Sequence, residues 1–302
     1  MERMEGTAIA KQGYFEGWYF KHQCGGSTVA LIAAHHRAQT GIHTASLQVV
    51  MPERAYRLDI PIQQFRRQQR PFLVRAGGCV FSMEGCRIDC LLEGRALRGE
   101  LRYQNLVPPK GDVMGPFRYV PGMQCRHSVF SLSHEVEGSL RWGDRILDFH
   151  HGNGYMEGDR GRSFPRRYLW TQCGWQGNSI MLSVADIPFC GGHFTGCICT
   201  ILLEGREYRL ATYYGARILE IGKRSALVRQ GELELRVILE KDAAQPLRAP
   251  QNGDMTRTIY ESAACRVRYM LRRESKTLFD FTGDQASFET EWPEEEARAR
   301  QR

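Results

Sequence analysis

Two stretches of this 302-residue chain read as copies of one design. The first runs LIAAHHRAQTGIHTASLQVV into AYRLDI, and the second runs MLSVADIPFCGGHFTGCICTILL into EYRLAT. His43 corresponds to His193, and Tyr56-Arg57-Leu58 to Tyr208-Arg209-Leu210. An aromatic, acid-bearing motif precedes each copy: GYFEGWYF (Gly13 to Phe20) and GYMEGDRG (Gly154 to Gly161). Self-similarity at so long a spacing indicates a duplicated domain rather than a solenoid.

Side chains alternate with period two through much of the chain. In GELELRVILEK, Leu233, Leu235, Val237 and Leu239 oppose Glu232, Glu234, Arg236 and Glu240, the pattern of a half-buried strand. ACRVRYML and CRIDCLL repeat it, and turn signals such as MPER, LEGR and WGDR separate the runs at barrel or sandwich cadence. The chain is therefore expected to be all-β, with two antiparallel barrel or sandwich domains at 13–144 and 145–288 and a charged tail at 289–302. Residues Asn105 to Gly122 carry four prolines and read as a long ordered loop.

Composition narrows the functional classes. No run approaches the roughly 18 apolar residues of a membrane span, and the first residues lack the apolar core of a secretory signal, so a cytoplasmic protein is expected. Ten cysteines without a CxxC pair then read as buried thiols rather than disulfides or zinc ligands. The net charge of +7 comes mostly from arginines interleaved with acids; at most this implies weak peripheral attraction to anionic membranes, and no nucleic-acid-binding signature accompanies it. Serine-hydrolase, P-loop and dinucleotide-binding motifs are absent. Neither a cofactor nor a metal is expected.

Three blocks carry residues fit for chemistry. GYFEGWYFK places Tyr14, Glu16, Trp18 and Phe20 on one strand face and Phe15, Gly17, Tyr19 and Lys21 on the other. Glu16 then either ties down an arginine or sits in an apolar cavity that raises its proton affinity. In GYMEGDRGRSFPRRYLWTQC, Glu157 and Asp159 share a face beside three glycines, which would let a ligand approach the backbone; Tyr168, Trp170 and Gln172 share a face of the next strand. Either acid could act as a general acid, with the aromatic faces steadying a cation, or the acids could pair with Arg160, Arg162 and Arg166. His127 and His134 fall on opposite faces of a continuous strand, His127 nearer the long loop.

Together, YFEGWYFK, GPFRYVPGMQCRHSVFSLSH, GYMEGDRGRSFPRRYLWTQC, SIMLSVADIPF with FTGCICTILLEGREYRLATY, and GDMTRTIYES resemble the tocopherol cyclase family and its bacterial relatives, over Gly13 to Glu289. The resemblance implies two lipocalin-like β-barrel domains, as in the related carotenoid hydratases. It also implies protonation of an isoprenoid double bond, after which a phenol oxygen closes a chromanol ring. On this resemblance Asp159 or Glu157 is the acid, and His127 orients or deprotonates the phenol. Trp18, Tyr168 and Trp170 accompany the cation, and Glu16, Tyr19 and Gln172 complete the substrate-binding set. The partner would be a hydrophobic isoprenoid or a prenylated aromatic molecule. Gln124 replaces a glutamate of the family pattern and Arg160 an aromatic, which puts the substrate and the activity in question. The alternative is a non-catalytic lipocalin-like binder of hydrophobic ligands.

Overall fold

The computed structural model describes residues 13–120, 123–189 and 192–293. It is all-β, with two antiparallel sheets, one of them curled into a nearly closed barrel. No described helix is long and apolar enough to cross a membrane. The first sheet contains β1 (Tyr14–Cys24), β2 (Ser27–Arg37), β3 (His43–Val50), β4 (Ala55–Ile60), β5 (Phe65–Gln69) and β6 (Phe72–Ala76). It continues with β7 (Cys79–Ser82), β8 (Gly85–Leu92), β9 (Arg95–Val107), β10 (Cys125–Trp142), β11 (Arg145–Asp148) and β12 (Gly152–Gly161). The second sheet contains β13 (Tyr168–Trp175), β14 (Asn178–Phe189), β15 (Gly192–Leu203), β16 (Arg206–Ala211) and β17 (Arg217–Ile221). Its remaining strands are β18 (Ser225–Gln230), β19 (Leu233–Lys241), β20 (Gln245–Gln251), β21 (Asp254–Arg273) and β22 (Lys276–Thr290).

The strand orders show the duplication. The first sheet runs β4-β3-β2-β1-β12-β10-β9-β8-β7-β6-β5, and the second β16-β15-β14-β13-β22-β21-β19-β18-β17. In both, four consecutive strands lie side by side, and the first of them pairs with the last strand of its own sheet. His43 and His193 accordingly stand at the starts of equivalent strands β3 and β15, and the two Tyr-Arg-Leu triplets lie in equivalent strands β4 and β16. The two acid-bearing motifs are not equivalent, however. GYMEGDRG forms β12, which hydrogen-bonds antiparallel to β1, the strand of GYFEGWYF; the structural counterpart of β1 is β13.

That pairing moves the domain boundary. Because β12 bonds β1 on one side and β10 on the other, residues 125–164 group with the first unit, together with 13–108 and 247–258. The second unit comprises 109–124, 165–246 and 259 onward. The break falls between Phe164 and Pro165, not at 144/145. Of the loop expected from Asn105, the first three residues belong to β9, and the described remainder contains a short 3-10 turn at Gly115–Tyr119. Its Asp112 and Gly111 carbonyls accept from Arg209, and the Val113 carbonyl accepts from the Tyr213 hydroxyl. Of the charged tail, 294–302 lies outside the described residues; its first two residues end β22.

Each sheet has one face devoted to an apolar core. Trp18, Phe20, Leu31, Leu47, Phe81 and Leu101 fill the first, with Phe20 stacked on Phe81 at 4.6 Å between ring centroids. Leu182, Val184, Cys199, Leu235, Val237 and Tyr269 belong to the second. Fully burying one such side chain is worth roughly 1.5–3 kcal/mol. None of the nine described cysteines forms a disulfide, and seven of them are buried.

Candidate active site

The face of the first sheet opposite its core carries the acids. Register sets Tyr19 across from Glu157 and Gly17 across from Asp159. On the other flank His127 stands across from Asp159, and Val129 across from Glu157. Directly opposed residues project to one side of a sheet, so Tyr19, Glu157, Asp159 and His127 share a face. Tyr155 joins them by parity, two residues before Glu157.

The glycines of this block serve the core, contrary to the expectation that they admit a ligand. A Cβ on Gly154 would lie 2.1 Å from His134 Nε2, and one on Gly158 would lie 3.0 Å from the Phe130 ring and 3.1 Å from Trp18 Cδ1. Both glycines leave room on the core face for a ring from a neighbouring strand. The alternation G-Y-M-E-G-D therefore sends bulk-free positions inward and the ionisable groups to the other face.

His127 is held between two carboxylates. Its Nδ1 lies 3.0 Å from Asp159 Oδ1 in a hydrogen bond, and its Nε2 lies 3.3 Å from Glu157 Oε2. The second contact is within ion-pair range but out of line for a hydrogen bond, which leaves Nε2 without a formal acceptor. The Tyr155 hydroxyl donates to the same Glu157 oxygen at 2.5 Å, and the Cys125 thiol reaches Asp159 Oδ1 at 3.4 Å. Exposure grades along this chain: Tyr155 is buried, the Glu157 side chain is 6% exposed, His127 11% and Asp159 23%.

Burial alone would lower the proton affinity of His127. The charges of Glu157 and Asp159, with the hydrogen bond to Asp159, outweigh it and raise the pKa well above 6.5. The ring thus holds its proton more tightly than an ordinary histidine. Burial and the Glu157 charge likewise push the Tyr155 phenol well above 10, so it remains a donor. The cluster is a row of polar groups, from a buried phenol through a carboxylate and an imidazole to a partly exposed carboxylate.

The same three groups bring together donor atoms within 4.8 Å of one another, a set that sequence spacing did not reveal. Each ring nitrogen, however, lies against a different acid. An ion would have to take one nitrogen and both carboxylates at a single point, so this arrangement suits a shared proton better.

The remaining expected site residues lie elsewhere. Trp18 is on the core face of β1, stacked on Phe65 at 6.4 Å and edge-on to Phe72; it cannot accompany a cation formed beside Asp159. Glu16, on the same core face, is tied to Arg67 Nε at 2.9 Å and to His35 Nε2 at 3.3 Å. Of the two environments open to it, the arginine-bound one is realised. Tyr168, Trp170 and Gln172 form one buried face of β13 in the second unit, where the Tyr168 hydroxyl donates to Glu289. Sequence patterns did not single out Tyr155 or Cys125, although their strand parity was visible, nor Glu261 and Glu289. His134 sits in the first core beside Tyr103 and His22, on the face opposite His127 as the sequence indicated.

No protein-family model matches the chain, and no curated protein matches it. Its fold does match solved structures, and is consistent with a lipocalin-like barrel. A protein assigned as AttH from Nitrosomonas europaea is similar at a TM-score of 0.53 over 93% of each chain, with 11% identity. Kievitone hydratase from Nectria haematococca is similar at 0.53 over 93% of this chain and 89% of its own, with 12% identity. At such identities the likeness establishes a common fold.

Proposed function

We propose that this protein is an acid–base enzyme that adds an O–H group across a carbon–carbon double bond of a hydrophobic, isoprenoid-like substrate. The observation that carries the proposal is His127 bracketed by two carboxylates, one buried and one partly exposed. Asp159 delivers the proton to the substrate, because it is the more exposed of the two acids. The carboxyl formed when Asp159 takes the His127 Nδ1 proton transfers it to one alkene carbon, leaving a tertiary cation at the other. An oxygen nucleophile then bonds to the cationic carbon and returns its proton through the Asp159 carboxylate to His127. Atoms balance without a cofactor: one hydrogen and one oxygen substituent are added, and the acid is regenerated.

Two nucleophiles fit this scheme. Water gives hydration, the reaction class named for one protein of the same fold. A phenol within the substrate gives ring closure, the tocopherol cyclase reaction that the sequence motifs imply. A low-polarity site and a positioned carboxyl are what either route needs, and general acid catalysis typically contributes about 10²–10⁴-fold.

The test is incubation with prenylated hydroquinones and with acyclic polyenes in heavy water, followed by mass spectrometry. The expected product carries one non-exchangeable deuterium, and Asp159→Asn lowers its formation by about a hundredfold or more. Undiminished turnover by that variant would overturn the role of Asp159. Recovery of bound but unchanged substrate from the wild-type protein would favour the non-catalytic carrier.

A further inference from the structure

The second sheet repeats the placement of ionisable groups on its own buried face. β12 lies next to β1 with β10 beyond, and β22 lies next to β13 with β21 beyond. In the first sheet those positions hold Asp159 opposite His127; in the second they hold Glu289 opposite Glu261. Glu289 is also opposite Trp170, and two residues along, Gln172 is opposite Ser287. Glu261, Glu289 and Gln172 are 3%, 7% and 1% exposed.

An acidic pair alone would not define a site, but its neighbour Gln172 points to a ligand. Neither its Nε2 nor its Oε1 has a hydrogen-bond partner among the described residues. Thr200 Oγ1 is also unpartnered, and it lies in the same cross-strand row, Gln172–Met181–Thr200. A buried amide with both its donor and its acceptor unmet costs roughly 1–3 kcal/mol for each group. Such a cost is removed when something occupies the site. The acids also carry a chemical constraint: carboxyls on directly opposed residues have Cβ atoms about 5 Å apart, where two negative charges repel and one proton is readily shared.

We propose that this face of β13, β22 and β21 is a second binding site, which takes the hydroxyl group of a neutral alcohol or phenol between the Gln172 amide and the Glu289–Glu261 pair. A hydroxyl accepts from the amide N–H and donates to a carboxylate oxygen, so one group satisfies the amide donor and engages the acid pair. The carboxyl pair disfavours anions. Tyr168, hydrogen-bonded to Glu289, and Trp170 provide aromatic walls for an apolar body. The site is independent of the catalytic reading of Asp159.

The experiment is titration of the full chain with 4-nitrophenol, whose neutral and anionic forms have distinct absorbance bands. Binding is expected with the neutral band retained above the solution pKa of the phenol. Gln172→Met, which keeps the side-chain length, should weaken binding about tenfold or more, and Glu261→Gln should weaken discrimination against the anion. Should the Gln172 variant fail to fold, Glu261→Gln, which preserves shape, decides alone. Asp159→Asn should bind the probe as the wild type does. Absence of binding by the wild type, binding of the anion in preference, or loss of binding only in the Asp159 variant would overturn the proposal.

Discussion

Acidification should destabilise the first unit before its carboxylates matter, because two of its core histidines are buried in neutral form. Burial, reinforced by the neighbouring His134, pushes His22 down to about 3 from 6.5. Burial likewise pushes His134 down to about 3. His22 Nε2 is bonded to the Tyr103 hydroxyl at 2.7 Å, and His134 Nδ1 to Ser131 Oγ at 3.0 Å, so neither ring has a carboxylate to stabilise a charge. For a histidine whose folded pKa is depressed, the unfolded chain binds the extra proton first. Stability is thus intact above about 6.5 and falls as the pH drops below it. Between about pH 7.5 and about pH 5 each ring loses roughly 2 kcal/mol, or about 4 kcal/mol for the pair, a large share of a typical domain's stability. Urea unfolding followed by near-ultraviolet circular dichroism at the two pH values measures this. His134→Gln should remove about half of the pH-dependent loss, whatever it does to stability at neutral pH. Equal pH dependence in the variant and the wild type would refute the claim that this ring is neutral in the fold.

Three further outcomes follow from the same geometry. Gly154→Ala sets a methyl carbon 2.1 Å from His134 Nε2; it should cost about 1–3 kcal/mol in chemical denaturation as the ring is displaced. His127→Gln leaves Glu157 and Asp159 without their shared cation, and unfolding should be easier by about 3 kcal/mol at pH 6. Because the pKa of His127 is raised, its contribution is complete below about 6.5 and is lost as the pH rises through the raised value, so the deficit of this variant should shrink in strongly alkaline buffer. Tyr155→Phe removes the donor to buried Glu157 and should destabilise by about 1–3 kcal/mol, measured by thermal or urea unfolding.

The sequence foretold the all-β class through local alternation, which survives in the strands: Leu235, Val237 and Leu239 are buried while Glu240 is exposed. The copies headed by His43 and His193 fall in equivalent strands because their turns and apolar spacing are local properties. What failed was the equation of GYFEGWYF with GYMEGDRG. Both are acid-bearing aromatic strands, yet the first opens its sheet and the second closes it, and closure depends on a partner some 140 residues away. That same long-range pairing moved the domain boundary beyond Phe164. The parity of Glu157 and Asp159 was legible. Their engagement with His127 was not, since it is set by the register between β10 and β12 and by bulges near Ser131. Glu261 and Glu289 were hidden for a similar reason: each is unremarkable in its own strand, and only cross-strand register makes them a pair.

The charge state of His127 is the point on which proton delivery by Asp159 turns, and it can be read directly. Nitrogen-detected magnetic resonance of histidine-labelled protein, titrated from about pH 6 to about pH 9, should show both ring nitrogens of His127 protonated well past the usual histidine midpoint of about 6.5. A His127 ring that has lost its proton by about pH 7 would contradict the bracketed imidazolium, and with it the acid–base row from Tyr155 to Asp159.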